Sequence, residues 1–195
     1  MRILRLFAAG GWALALLCGF TGSDDRESIQ PSSALLLKGT STLHNYECTT
    51  SVFRGEVDFD PATNTFPRVD VTIPVRSIHS GNSSMDDKMY DALHADKYPD
   101  IEFRLIHPDS EKTAGTSDSL LVVHGSLKIS GKEKSILLPL HLVRGPDGTL
   151  LVSGTEKLLM TDFGIDPPSF MLGVLKTGNE VSVEFHLNLK NIGPP

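Results

Sequence analysis

The residues best suited to chemistry in this 195-residue chain are three histidines, two adjacent aspartates, a glycine–lysine turn and two cysteines. His124, His141 and His186 fall at the outward phase of three alternating segments, so one sheet face would carry them all. Three imidazoles could bind zinc there. Zinc-binding imidazoles are normally oriented by carboxylates or carbonyls, and no carboxylate pattern accompanies these, so scattered exposed histidines are the commoner explanation. Asp86 and Asp87 point in different directions on a helix and suit its positive end better than an acid–base pair. Gly125 with Gly131-Lys132 resembles a phosphate loop in outline, but the spacing is one residue too long, and Glu133 stands where a metal-holding Ser or Thr belongs. There is no G-x-S-x-G elbow, H-E-x-x-H helix or paired-cysteine zinc motif. Asp162 and Asp166 with Pro167-Pro168 read as a rigid loop, and Asn82-Ser83-Ser84 as a glycosylation acceptor that matters only in a eukaryotic secretory pathway. With no constellation for a hydrolase or isomerase, the chain reads as a non-enzyme.

The elements that would position these residues are strands. Val181, Val183, Phe185, Leu187 and Leu189 alternate with Ser182, Glu184, His186, Asn188 and Lys190. The same period of two runs through 53–59, 69–76, 101–105 and 123–129. One wet and one buried face is the mark of antiparallel sheet. Asp60-Pro61-Ala62-Thr63-Asn64, Ser130-Gly131-Lys132, Gly145-Pro146-Asp147-Gly148 and Lys176-Thr177-Gly178-Asn179 supply the turns. Further strands fit Ile136–Val143, Thr149–Leu159 and the Leu35–Thr50 region, giving about eight in all. Pro74 and Pro139 fall on outward positions and predict an edge, bulge or strand end. Met85, Met89 and Leu93 recur four apart, predicting one short helix near residues 85–94 that Ser84 could cap.

About eight strands with one greasy face form a sandwich or close into a barrel, and an eight-stranded barrel either fills with side chains or holds one small ligand. Gly55, Gly125 and Gly154 lie on the inner face. They either open space inside the sheet or mark the bends that curl it. The expected lining is Phe53, Val57, Phe59, Val71, Ile73, Ile101, Phe103, Leu127, Phe163, Phe170 and Phe185, with Met85, Met89 and Leu93 at the mouth. Each would serve equally well as plain core.

Composition narrows the partners. A net charge of −6 and no dense Lys/Arg run argue against nucleic acid. Arg2 and Arg5 precede an apolar run from Leu6 to Leu17, too short for the roughly 20 residues of a spanning helix. Residues 1–22 therefore read as an export signal, cleaved between Cys18 and Ser23. Residues 23–33 read as a flexible leader and 34–191 as the barrel domain. Leu17 fits a lipoprotein signal poorly, so anchoring through Cys18 is not expected. Cys48 is then the lone cysteine of the mature chain, and it reads as a small buried apolar residue.

Several segments together resemble the YceI-like family. They are Arg76-Ser77-Ile78, Met85-Asp86-Asp87, and Leu93-His94-Ala95-Asp96-Lys97-Tyr98-Pro99-Asp100-Ile101-Glu102-Phe103. Val123 to Gly131, Leu137-Leu138-Pro139-Leu140 and Asp162-Phe163-Gly164-Ile165 complete the series. The likeness spans Leu35 to Leu189. It implies an all-β, antiparallel, eight-stranded, extended lipocalin-like β-barrel with a hydrophobic cavity. It also implies a periplasmic or secreted location and a long polyisoprenoid-type cargo, isoprenoid quinones included, with no catalytic residue and no resident cofactor. The Gly39–Glu47 stretch departs from the family's more apolar opening strand, and Met85 and Met89 stand where many members carry Arg or Leu. The expected function is an exported binder of a long apolar ligand. The alternative is a filled barrel acting as an interaction module through its loops, with the apolar Pro167–Leu175 stretch as the contact. A transient membrane contact and a homodimer are compatible with either.

Overall fold

A computed structural model describes residues 28–113, 118–145, 147–170 and 175–190. The strands are β1 (Ser28–Ile29), β2 (Ala34–Ser41), β3 (Tyr46–Thr50), β4 (Arg54–Asp60), β5 (Thr65–Pro74), β6 (Asp100–Thr113), β7 (Asp118–Ile129), β8 (Lys132–Arg144), β9 (Thr149–Leu159), β10 (Ser169–Phe170) and β11 (Leu175–Lys190). One α-helix, α1 (Ser83–Ala92), joins β5 to β6, and a 3-10 turn, Met160–Phe163, follows β9. The nine longer strands pair antiparallel in the order β3-β2-β11-β9-β8-β7-β6-β5-β4, while β1 and β10 add to β11. The all-β fold with one short helix is as expected; the main strands number nine rather than eight.

The sheet curls into a half-barrel. Its end strands, β3 and β4, are joined by no ladder among the described residues. The outer edge of β3 is instead held by a reciprocal backbone pair between Thr49 and His79, at 2.8 and 2.9 Å. On the far side of the seam β1 lies against β4. Part of the expected leader is therefore structural. Ser28 and Ile29 pair with Lys190 and Leu189, and buried Ser33 accepts the Asn188 N–H at 3.0 Å. Local polarity hid this pairing, because the partner strand is the last one in the chain.

Steric detail explains the turns and the curl. Ser130 and Gly131 both have positive φ and link Ile129 to Lys132 in a two-residue hairpin whose twist matches the strands. The Tyr98 ring packs on Gly131 so closely that an added Cβ would stand 2.4 Å from it. Gly125 and Gly154 open no space: a Cβ there would meet the rings of Phe103 at 2.3 Å and Phe185 at 2.5 Å. These aromatics lie across their glycine neighbours, and of the three only Gly55 has positive φ, 116°, where an added Cβ would also stand 2.0 Å from the Asp70 carbonyl oxygen. Pro74 ends β5, and Pro139 directly precedes Leu140, the first β8 residue that pairs with β9.

The helix begins two residues earlier than the methionine spacing implied, at Ser83. Asn82, not Ser84, is its cap, accepting the Met85 N–H at 3.1 Å. Asp86 is buried rather than merely facing the helix dipole. It accepts the Ser80 N–H at 2.7 Å and hydroxyl at 2.6 Å, and lies 3.2 Å from His79 Nδ1. Burial works to raise its pKa, but the Ser80 and His79 contacts outweigh that and hold the carboxyl below its ordinary value. A depressed carboxylate pKa contributes stability above the unfolded-state value and loses it as pH falls through the folded one. Asp86→Ala is accordingly expected to cost about 2 kcal/mol at pH 7, by leaving the Ser80 N–H without its acceptor. Urea titrations at stepped pH should show the wild type and the variant converging below about pH 4.

One end of the interior is solid. Leu121, Leu142, Leu150 and Leu189 are almost completely buried and pack with Phe59 and Phe66, whose rings lie 5.1 Å apart. Arg144 caps this end. Its guanidinium stands 5.3 Å from the Phe59 ring centre and donates to the Pro61 carbonyl at 2.9 Å.

Candidate functional site

Above that packed floor the sheet does not fill. A cavity of about 560 Å³ runs toward the end where α1 and the 3-10 turn stand. That volume lies within the range that holds small-molecule ligands. Twelve of the fourteen residues expected to line it do so: Phe53, Val57, Val71, Ile73, Met85, Met89, Leu93, Ile101, Phe103, Leu127, Phe163 and Phe185. Phe59 does not, because Arg144 and Phe66 hold it in the floor. The side chain of Phe170 lies outside the described residues, as do Cys18, the signal segment and much of the Pro167–Leu175 stretch.

Each wall has a local cause. On β11 the period of two turns Val181, Val183, Phe185, Leu187 and Leu189 inward, and β9 does the same with Val152 and Leu158. The α1 face bearing Met85 and Met89 packs over Cys48, Ile73 and Ile78. The Asp162-Phe163-Gly164-Ile165 turn buries Phe163 and Ile165 beside Leu127 and Ile129. Lys134 pins that turn through Asp162 at 2.9 Å. The 3-10 turn touches β8, β9 and β11, in the region where the β8–β9 ladder has stopped at Leu140–Gly154.

The polar residues in the wall are few. Ser41, His44, Asn82, Ser84, Lys88, Lys176 and Thr177 belong to the strand ends, to α1 and its cap, and to the neighbouring turns. Deeper, Cys48 is almost wholly buried, and burial pushes its thiol up to about 11, far from a reactive thiolate. Burial likewise pushes the Tyr46 phenol up to about 12. Glu156 is the one acidic residue in the wall among the described residues, and burial raises its pKa too. The expected lining missed Glu156, although the phase of Leu150, Val152 and Gly154 placed it inward.

The other chemical candidates do not converge. His186, Ser153 and His141 share one register row across β11, β9 and β8, while His124 lies beside His107, ring centres 5.9 Å apart. Among the described residues no three His, Cys, Asp or Glu side chains are placed to hold a metal ion. Nor is any helix among them long and apolar enough to cross a membrane.

Against known proteins, the model of the YceI-like domain matches residues 29–189. The chain belongs to the YceI-like family. Among solved structures, the YceI-like domain here resembles Burkholderia cenocepacia BcnA, with TM-score 0.66, 22% identity, and 83% of this chain and 99% of that one covered. A polyisoprenoid binding domain from Saccharophagus degradans, implicated in plant cell wall breakdown, gives TM-score 0.64 and 16% identity over 85% of this chain and 97% of that one. The Campylobacter jejuni YCEI protein gives 0.56 and 20% over 96% and 97%. At these identities the likeness establishes the shared fold. No curated protein matches the chain. The family match begins at Ile29, which pairs in β1, and ends at Leu189 in the floor of the half-barrel.

Proposed function

We propose that this YceI-like domain is an exported, non-enzymatic carrier that holds a long apolar chain in the half-barrel. One observation carries the reading: a cavity of about 560 Å³, walled mainly by aliphatic and aromatic side chains, above a solid floor. A filled interaction module would have no use for that volume. Burying a CH₂ contributes about 0.8 kcal/mol, and association costs roughly 4 to 15 kcal/mol. A chain of about ten to twenty carbons is therefore needed before binding becomes useful, which favours an isoprenoid-like or other lipid chain over a small metabolite. The printed description of the Saccharophagus degradans relative as a polyisoprenoid binding domain supports the same class. Met85 and Met89 suit an irregular chain, because the thioether side chain adapts its shape. The charged start and apolar run before Ser23 support export to the periplasm or beyond.

The test is direct. The chain from Ser23 onward, purified without detergent and extracted with organic solvent, is expected to release a long-chain lipid at close to one per protein in a mass spectrometer. An empty extract, together with no uptake of an apolar fluorescent dye, would overturn the carrier reading.

A further inference from the structure

Glu156 is a half-buried carboxylate in a mainly apolar stretch of the wall. It occupies an inward position of β9, between Gly154 and Leu158, and lines the cavity. Its register row continues through Val183 of β11, Leu37 of β2 and Cys48 of β3, none of them charged. On the other side the β8–β9 ladder has already ended at Leu140–Gly154. Among the described residues its carboxyl has no hydrogen-bond or ion-pair partner. Lys88 and Lys176, the two other charged residues of the wall, are exposed and do not pair with it.

An unpartnered carboxylate in an apolar wall is costly unless something binds it. Water can serve while the tunnel is empty. A lipid chain that fills the tunnel expels that water, and the carboxylate must then gain a proton or a donor. A plain alkyl segment offers neither, and an anionic group adds like-charge repulsion. A hydroxyl, amide or amine supplies the missing hydrogen bond.

We infer that Glu156 is a recognition point inside the tunnel, selecting a chain that carries a hydrogen-bond-donating group and rejecting one that carries an anion at that depth. The inference rests on the carrier reading and names the chemistry of its cargo. It also separates two demands on the ligand: the aliphatic wall sets length and girth, and the carboxylate sets the polar group.

The test is displacement of an apolar dye at pH 8 by hexadecanol, hexadecanamide, hexadecylamine and palmitate, on wild type, Glu156→Leu and Glu156→Gln. Wild type is expected to take the alcohol, amide and amine at least about tenfold more tightly than palmitate, the size expected of a hydrogen bond to a charged group. Glu156→Leu should bring all four within about twofold of one another, since only the shared alkyl chain remains to be bound. Glu156→Gln preserves the shape of the site; it should keep the alcohol and amide and lose the advantage of the amine. Equal binding of all four by wild type, or an undiminished gap in Glu156→Leu, would overturn the inference and leave the carrier standing. If neither the dye nor any of the four binds wild type, the carrier reading falls and takes the inference with it.

Discussion

Val183→Trp should weaken capture of a long-chain ligand about a hundredfold while leaving a folded protein. Val183 faces the tunnel from β11, between Glu156 and Leu37 in the register. An indole projecting there occupies the path that a chain would take. Displacing about four methylenes forfeits about 3 kcal/mol, a loss of roughly a hundredfold in affinity. The added ring has empty volume to enter, so the usual penalty for overpacking a full core is avoided. Equilibrium titration with an apolar dye and thermal unfolding of the same samples provide the check. A hundredfold weaker dissociation constant with a Tm shifted by only a few degrees is expected. Undiminished dye binding would mean that the ligand sits elsewhere. A collapse of Tm would mean that the volume beside Val183 is not free.

The second large effect lies at the opposite end. Leu150 is wholly buried in the floor with Leu121, Leu142 and Leu189. Leu150→Ala removes its contacts and leaves a void that the packed neighbours cannot close, at an expected cost of about 3 to 5 kcal/mol. Leu37→Ala deletes the same atoms from a half-buried side chain that already faces open volume. It loses the transfer contribution and creates little new void, so about half that cost or less is expected. Urea unfolding of the two variants measures the contrast through their midpoints at constant slope. Equal losses would show that the tunnel wall is as tightly packed as the floor. A ratio near two or more fits a fold whose stability comes from one end and whose binding volume lies at the other.

The strands were legible because their signal is local. Alternation of Val181, Val183, Phe185, Leu187 and Leu189 assigned the inward face of β11 without any partner, and the cavity wall follows that phase. Ser130-Gly131 announced its hairpin through the backbone angles such a turn demands. Other features needed distant chain. Ser28–Ile29 reads as leader until β11, some 160 residues later, is seen to pair with it. Phe59 has the right phase for the lining and is removed from it only by Arg144 and Phe66. For Gly125 and Gly154 the sequence left open space and a bend as alternatives, because nothing local records that Phe103 and Phe185 lie over them.

Period-two hydrophobicity, turn chemistry and the ordered motifs were enough to determine an antiparallel β fold with one helix and a greasy inner face, because side-chain direction in a strand follows from position alone. Whether that face encloses a space was decided only by tertiary structure. The final strand inserts between β2 and β9, the β3–β4 seam has no ladder among the described residues, and the side chains close the floor but not the middle. Volume is a sum over residues far apart in the chain, and no single segment carries it.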